Sequence, residues 1–594
     1  MPLGTFSFVL HSHIPYVLAH GRSPHGTDWL SEAAAETYLP LLGVCNRLVS
    51  EGISPKITLG LTPVLVEQLR DPSFQDDLSD YLRAKVRSAQ ENQAQFAGEG
   101  NYHMAYLARW WEDWYGSRLA EFEDTYGRDI VGGFKALQDA GHIEIITSSA
   151  THGYSALLSQ DASIQAQVKQ GVQAYVQHFG RRPRGYWLPE CSYRPRYHWK
   201  PPIAVPDQND TPYLRKGVDE FLDENGIEFF FVEGALLHGG ENVGVYADKF
   251  GPLKELYKQF QSETVEVKYR PYTPYQPYLV DSSGLKASPT LAVLGRDNAT
   301  GQQVWSGEHG YPGDEWYLEF HKKYVSPTDK SLGLRYWRIS QNKADIGSKG
   351  LYEPHQAARQ AAAHAAHFVP LVKEVFRAQQ DPTGARPPIM CSVYDTELYG
   401  HWWFEGPQWL YHVLKAMAQD PDIELQTVPE YLDAHPATLP IDLPEGSWGE
   451  GGFHYIWLNE ETAWSWKLVY ETERAMIDLA QKYGGVEASA PILKQAAREA
   501  LLLMASDWQF CISTGGAKDY SEVRLRNHYD SFQALASLVK RAAGEGLPLS
   551  VGDWKNVYEC AARDSVYPNT DPQWFARVEH PALEQQCHGV EAPC

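Results

Sequence analysis

Short, almost wholly apolar runs alternate with long helical stretches along the first two thirds of this chain. Seven runs are candidate strands: residues 6–10, 57–61, 143–147, 185–188, 228–232, 388–394 and 423–427. Apolar runs without alternation are typical of parallel strands that are covered on both faces. The pattern therefore predicts βα units, arranged either as a barrel or as a doubly wound sheet. Seven strands are one fewer than the eight of a standard TIM barrel.

The alternation stops twice. Residues from 232 to about 291 include "VKYRPYTPYQPYLVDSSG", which is too rich in proline to be a barrel helix and indicates an insertion. From about Trp464 onward, three amphipathic helices follow one another. We therefore expect four parts: a catalytic barrel (1–195 and 291–435), an inserted subdomain with a mobile active-site loop (196–290), a helical C-terminal domain that completes the cleft (436–560), and a loosely packed tail (561–594).

Charge and composition narrow the function classes. The formal net charge of −23 argues against nucleic acid as the main partner. The sequence shows neither a signal-peptide pattern nor an apolar run of membrane-spanning length, and its seven cysteines have no metal-like spacing. These features predict a cytoplasmic protein with reduced thiols and no membrane partner. The 19 tryptophans and 35 tyrosines suggest either stacking platforms for flat ligand faces or a large core.

Polar side chains follow four of the predicted strands. They are His11 and His13, His152, Glu190, and the group Asp395, Glu397, His401 and Glu405. Because the carboxyl ends of parallel strands meet at one end of a barrel, we expect these groups to converge. Three chemistries would use them. The His-x-His pair could bind a metal, since alternation places both rings on one side of a strand. Glu190 and Asp395 could act on a glycoside as paired carboxylates, or the site could bind sugar without catalysis.

Five segments, in order, resemble the signature regions of glycoside hydrolase family 57: "HSHIPY", "GHIEIITSSATHG", "GYWLPECSY", "YDTELYGHWWFEG" and "SDWQFCISTGGA". Residues 304–317 and 447–460 are similar to the branching enzymes of that family. The resemblance implies an α/β fold, a distorted TIM-like (β/α)7 barrel with an inserted subdomain and a C-terminal helical domain. It also implies a retaining double displacement that cleaves α-1,4-glucan and transfers the chain to a 6-hydroxyl, forming α-1,6 branches in a glycogen-type polymer. An α-amylase-type hydrolase is the alternative; a non-catalytic glucan-binding protein and a metal-dependent deacetylase are less favoured.

The resemblance also implies roles for single residues. Glu190 matches the nucleophile and Asp395 the general acid/base, although an extended segment would place Glu397 on the same side as Asp395. Tyr246 matches the tyrosine at the tip of the loop that shields the intermediate. Its rivals in the insertion are Tyr269, Tyr272, Tyr275 and Tyr278.

Substrate-binding positions complete the expected site. They are the histidines His11, His13 and His152 and the tryptophans Trp305, Trp402, Trp403, Trp448, Trp457 and Trp508. The histidines would hydrogen-bond sugar hydroxyls, so neither a metal nor a cofactor is expected. The expected partner is an α-glucan such as amylose, amylopectin or glycogen, bound by a monomer or a small homo-oligomer.

Overall fold

The computed structural model describes residues 2–205, 211–238, 270–325, 333–340, 345–379, 386–449 and 452–578. The strands in this part are β1 Gly4–Ser12, β2 Ile57–Leu61, β3 Ile143–Ser148, β4 Gly185–Trp187, β5 Tyr197–Trp199, β6 Tyr213–Arg215, β7 Phe229–Val232, β8 Tyr278–Leu279, β9 Ala292–Gly295, β10 Ile389–Asp395 and β11 Ile423–Leu425. Each of the seven predicted strands is present, with ends within two residues of those expected.

Helices occupy most of the intervening chain. They are α1 Thr27–Ala33, α2 Leu39–Ser50, α3 Pro63–Arg70, α4 Pro72–Gly98, α5 Tyr102–Ala120, α6 Ile130–Asp139, α7 Asp161–Phe179, α8 Val218–Glu224, α9 Ala235–His238, α10 Gly301–Trp305, α11 Pro354–Ala378, α12 Gly406–Gln419, α13 Val428–Ala434, α14 Ala463–Tyr483, α15 Ala490–Leu503, α16 Asp507–Thr514, α17 Lys518–Val539 and α18 Val551–Arg563. Capping side chains mark the start of several helices, as at Asp71, which accepts a hydrogen bond from the Ser73 amide. Among the described residues, no helix has the length and apolar character to cross a bilayer.

The chain divides into two compact units. Unit 1 comprises Met1–Leu61, Leu65–Ile145 and Arg296–Pro436. In it β1 pairs in parallel with β2, β10 and β11. All nine residues of β1 are buried, as expected for a strand covered on both faces. The register pairs His11 with Asp395, so the ends of β1 and β10 lie side by side.

Unit 2 comprises Thr62–Val64, Ile146–Gly295 and Ala437–Cys594. Its sheet has the order β3, β4, β7, β9, all parallel, with β8 antiparallel to β9, and β5 pairs with β6. Strand β9, whose four residues follow the insertion directly, is absent from the prediction. The helical region has five helices where three were predicted; α16 has only eight residues, and α18 lies nearest the end of the region.

The predicted domain boundaries stay a prediction. The two compact units divide the chain at other positions than the four predicted parts do. One observation bears on the tail that was expected to be loosely packed. Phe575 is fully buried in the core of unit 2, and the side-chain amide of Gln165 donates to the Trp574 and Arg577 carbonyls. Up to residue 578 this segment is therefore packed, and residues 579–594 lie outside the described part.

Candidate active site

Glu190 lies in a sharp turn just beyond strand β4. Its backbone is left-handed, with φ 58° and ψ 24°, and Cys191 follows with φ 50°. The Cβ atom of a non-glycine residue disfavours this region, so non-glycine residues held there are typical of functional sites. The turn thus ends the regular extension of β4 before the residue that carries the carboxyl group.

Two hydrogen-bond donors hold the Glu190 carboxyl group, both within unit 2. The indole Nε1–H of Trp448 donates to Oε2 at 2.7 Å, and the Ser506 hydroxyl donates to Oε1 at 3.2 Å. The Trp448 amide also donates to the Glu190 carbonyl at 3.0 Å. Hydrogen bonds to an ionised group are the stronger kind, so the carboxylate is fixed in position. Sequence reasoning missed Ser506, although it is the first residue of the quoted segment "SDWQFCISTGGA".

His152 is placed beside Glu190 by the same serine. Its Nδ1 lies 2.9 Å from the Ser506 hydroxyl oxygen and 3.9 Å from Glu190 Oε1. The His152 carbonyl accepts a hydrogen bond from the Ser506 amide at 3.1 Å. His152 is buried and, like Glu190, has a left-handed backbone. Unit 2 therefore brings two of the predicted site residues together through a third residue.

A buried chain of hydrogen bonds supports the segment that carries Trp448. The Tyr154 hydroxyl lies 2.8 Å from His454 Nδ1, and His454 Nε2 lies 2.9 Å from Glu445 Oε1. Tyr197 donates to the other oxygen of Glu445 at 2.7 Å. Each of these side chains is at most 3% exposed. Their hydrogen-bond partners lie up to 300 residues away in the chain, so no local pattern announces them.

Unit 1 brings together His11, His13 and Asp395. His11 lies beside Asp395 in the register, and the rings of His11 and His13 stack with centroids 6.1 Å apart. Burial, with a smaller contribution from His13, lowers the pKa of His11 well below its ordinary value. His11 is therefore a neutral imidazole at neutral pH, with one donor and one acceptor nitrogen.

Asp395 and Glu397 are separated by the local backbone. Thr396–Leu398 forms a 3-10 turn, so the alternation expected of an extended segment ends at Asp395. Glu397 turns inward, where it is 4% exposed and accepts hydrogen bonds from the His13 amide (3.1 Å) and the Tyr38 hydroxyl. Burial raises the pKa of Glu397 to about 7. Asp395 remains partly exposed, so it is the better placed of the two to meet a substrate.

The family model described as Glycosyl hydrolase family 57 matches residues 7–444. The chain belongs to glycosyl hydrolase family 57. A second model, described as the C-terminal part of 1,4-alpha-glucan branching enzyme, matches residues 468–575. This second match covers most of the helical region that follows Trp464.

Three known proteins illustrate the similarity. A curated 1,4-alpha-glucan branching enzyme of Thermococcus kodakarensis is 38% identical over 530 residues, 88% of this chain and 72% of its own. The crystal structure of the GH57-type branching enzyme from Pyrococcus horikoshii has 36% identity and a TM-score of 0.82, covering 98% of each chain. The alpha-amylase AmyC of Thermotoga maritima has 25% identity and a TM-score of 0.78, covering 97% of this chain and 100% of its own. The predicted fold class, with its C-terminal helical region, is confirmed.

The six tryptophans predicted for this family 57 site differ in exposure. Trp305 and Trp402 are each 41% exposed and form an edge-to-face pair, with centroids 6.0 Å apart. Trp448 is partly exposed beside Glu190. The remaining three, Trp403, Trp457 and Trp508, are each 1% exposed and pack in the cores of their units. Only the first three present a ring face or edge that a substrate can reach in this structure.

The predicted loop tyrosine, Tyr246, lies outside the described residues, as does Tyr269. Of the other rivals, Tyr278 is fully buried and its hydroxyl accepts a hydrogen bond from the Thr273 amide. Tyr275 is 7% exposed, and Tyr272 is partly buried against the core. These packed positions favour a structural role for the three, and the choice between Tyr246 and Tyr269 stays as the sequence left it.

Two clusters within single units have the composition of a metal site. Glu32, Glu36 and His401 offer ligand atoms within 4.8 Å of one another in unit 1, and Glu499, Cys560 and Asp564 do so in unit 2. In the first cluster, Lys323 and Arg335 already pair with the two glutamates. In the second, the Cys560 thiol donates to Glu499 at 2.9 Å. The glutamates of both clusters thus already have protein partners.

Proposed function

We propose that this chain is a 1,4-α-glucan branching enzyme that cleaves α-1,4-glucan and transfers the released chain to a 6-hydroxyl. The observation that carries the proposal is the fixed carboxyl group of Glu190, held by Trp448 and Ser506 in a chain whose residues 468–575 match the branching-enzyme C-terminal model. A glycosidase nucleophile needs this arrangement, because it must be aimed at one carbon atom and hold its charge. The product would be a glycogen-type polymer, made in the cytoplasm.

The proposed reaction has two displacements. In the first, a carboxylate oxygen of Glu190 attacks the anomeric carbon while the carboxylic acid of Asp395 protonates the departing 4-oxygen. In the second, the Asp395 carboxylate takes the proton of an acceptor 6-hydroxyl, whose oxygen attacks the anomeric carbon and releases Glu190. Two inversions give net retention. This route requires the two carboxyl groups to stand about 5 to 5.5 Å apart in the working enzyme.

The neighbouring side chains have supporting roles in this proposal. The neutral ring of His11 and the rings of His13 and His152 would hydrogen-bond sugar hydroxyls next to the reacting carbon. Trp305 and Trp402 expose aromatic surface on which glucosyl rings can stack. Tyr246 would tip the loop that keeps water from the glycosyl-enzyme. The substrates would be amylose, amylopectin or glycogen.

Hydrolysis is the second candidate, and the likeness to an alpha-amylase at 25% identity keeps it open to test. The decisive experiment incubates the purified chain with amylose and compares new α-1,6 linkages with new reducing ends. A branching enzyme forms linkages in excess, whereas a hydrolase forms reducing ends alone. Glu190→Gln and Asp395→Asn should each lose far more than tenfold of either activity, since tenfold is only about 1.4 kcal/mol of barrier. A variant that retains a tenth of wild-type activity contradicts its assigned role.

A further inference from the structure

Unit 1 contains a cavity of about 530 Å³ that the proposed reaction does not use. Helices α2 and α5 and the first turns of α11 and α12 form its walls. None of the residues proposed above for catalysis or glucan binding lines it. Its volume falls within the range of about 300–1,000 Å³ that is typical of small-molecule sites.

One wall of this cavity is aromatic. Trp110 and Trp114 stand four residues apart on α5, so both rings project from the same face of the helix. The Phe404 ring lies 5.8 Å from Trp110 and 5.2 Å from Trp114, between centroids. Both tryptophans remain partly exposed, although the neighbouring Trp111 is buried. The wall therefore offers flat apolar surface to a ligand in the cavity.

A buried carboxyl group faces the same cavity. Glu405 is 3% exposed, and its Oε1 accepts hydrogen bonds from the Leu318 amide (3.1 Å) and the Tyr352 hydroxyl (2.6 Å). Its Oε2 is buried and has no hydrogen-bond partner within the part of the chain that the structure describes. Burial raises the pKa of Glu405 to about 7. Buried polar oxygens are almost always paired, so this oxygen, on a residue that lines the cavity, would gain a partner if a small shift of the side chain opened it to a ligand.

The other arginine and glutamate side chains that line the cavity are paired. Arg118 pairs with Glu121 three residues along the chain, Arg47 pairs with Glu51, and Glu36 pairs with the buried Arg335. An anionic or cationic ligand would therefore find no unpaired opposite charge among them. A neutral ligand with an apolar face and several hydroxyl groups fits both the aromatic wall and the carboxyl oxygen. A pyranose ring has this chemistry.

A glycine keeps the cavity open. Gly43 lies inside helix α2 and lines the cavity, and a Cβ atom built there would meet no atom within 4 Å. Glycine within a helix is destabilising relative to alanine, so the sequence gives up helix stability at this position. A larger side chain at position 43 would project from α2 into the space that a ligand would occupy.

We propose that the cavity bounded by Gly43, Trp110, Trp114, Phe404 and Glu405 binds a short segment of α-1,4-glucan, separately from the catalytic groups. The choice of glucan among neutral sugars rests on the proposed function. Such a site would hold a long polymer on unit 1 while another part of the same polymer reacts, which raises the local concentration of chain ends.

The test counts binding sites for maltohexaose by calorimetry in the full-length Glu190→Gln variant, which should bind without turnover. We expect two sites per chain, and one after Gly43→Met or after the double change Trp110→Ala with Trp114→Ala. Affinity at the cavity should fall at least tenfold, or about 1.4 kcal/mol. Trp554→Ala, which removes a partly buried tryptophan elsewhere, is the matched control and should keep both sites. Gly43→Met should not lower the melting temperature, since it removes a helix glycine.

The stoichiometry separates this inference from the proposed function. One site in the parent and none in the cavity variants would support the cavity and contradict glucan binding at the catalytic groups. An unchanged number of sites in both sets of cavity variants would overturn the inference, whether the parent binds one or two. Loss of a site in Trp554→Ala would overturn it as well.

Discussion

The hydrogen bond from Trp448 to Glu190 should control the reactivity of the nucleophile. Trp448→Phe keeps an aromatic ring next to Trp187, whose centroid lies 5.2 Å from that of Trp448, and removes the indole N–H together with part of the bicyclic ring. A hydrogen bond to a charged group contributes about 1.5–3 kcal/mol, and this one is short at 2.7 Å. If the whole contribution is needed to aim the carboxylate, kcat/KM should fall roughly 10- to 150-fold. Ser506→Ala removes the longer bond of 3.2 Å and should cost less, roughly two- to tenfold.

The assay is the initial rate of branching on amylose over a range of substrate concentrations, together with thermal melting of each variant. Trp199→Phe is the matched control, because it removes a fully buried indole N–H of unit 2 for which the described residues offer no acceptor. It should leave kcat/KM within a factor of about two. A loss of less than threefold in Trp448→Phe, or an equal loss in Trp199→Phe, would refute the reasoning.

Three further outcomes are expected. Because the pKa of Glu397 is raised to about 7 from 4.5, the folded chain holds an extra proton between these values, and its stability falls as pH rises through them. In denaturant unfolding, the wild-type chain should lose about 3 kcal/mol of stability between pH 4.5 and pH 8, and Glu397→Gln should not. Parallel curves of stability against pH for the two proteins would disprove this prediction. Exhaustive chelation should leave branching unchanged, and loss of activity together with a stoichiometric metal would overturn the role of His11. Tyr246→Ala should lose branching much more than amylose cleavage, because water then reaches the glycosyl-enzyme; equal losses would make Tyr246 an ordinary contact.

The strands were predictable because burial on both faces leaves a signal within five to nine residues, as in β1 and β2. The positions that follow them were predictable for the same reason, since His11, Glu190 and His152 come one, two and five residues after the ends of apolar runs. Strand β9 was not predicted, because the proline-rich insertion directly before it hides where the alternation resumes. No structural observation tests the role of any single residue, so these roles stay predictions.

The distinction between Asp395 and Glu397 could not be predicted, because it depends on a 3-10 turn and on Tyr38, which is 359 residues away from Glu397 in the chain. The partners of Glu190 were hidden for a similar reason. Trp448 and Ser506 are 258 and 316 residues distant from it, and each belongs to a motif that gives no indication of its partner. Burial of individual tryptophans, such as Trp403 and Trp508, likewise depends on tertiary packing that composition does not reveal.

The left-handed backbone at Glu190 and Cys191 has a consequence for the directed evolution of thermostability. Two adjacent non-glycine residues in this region cost roughly 1–3 kcal/mol each, which is a large share of the stability of a folded domain. Glycine at position 190 would relieve part of this cost and remove the nucleophile in the same step. A library of variants selected for thermostability alone should therefore be enriched in substitutions at this turn that abolish activity. A selection for a more thermostable enzyme must measure turnover at every round.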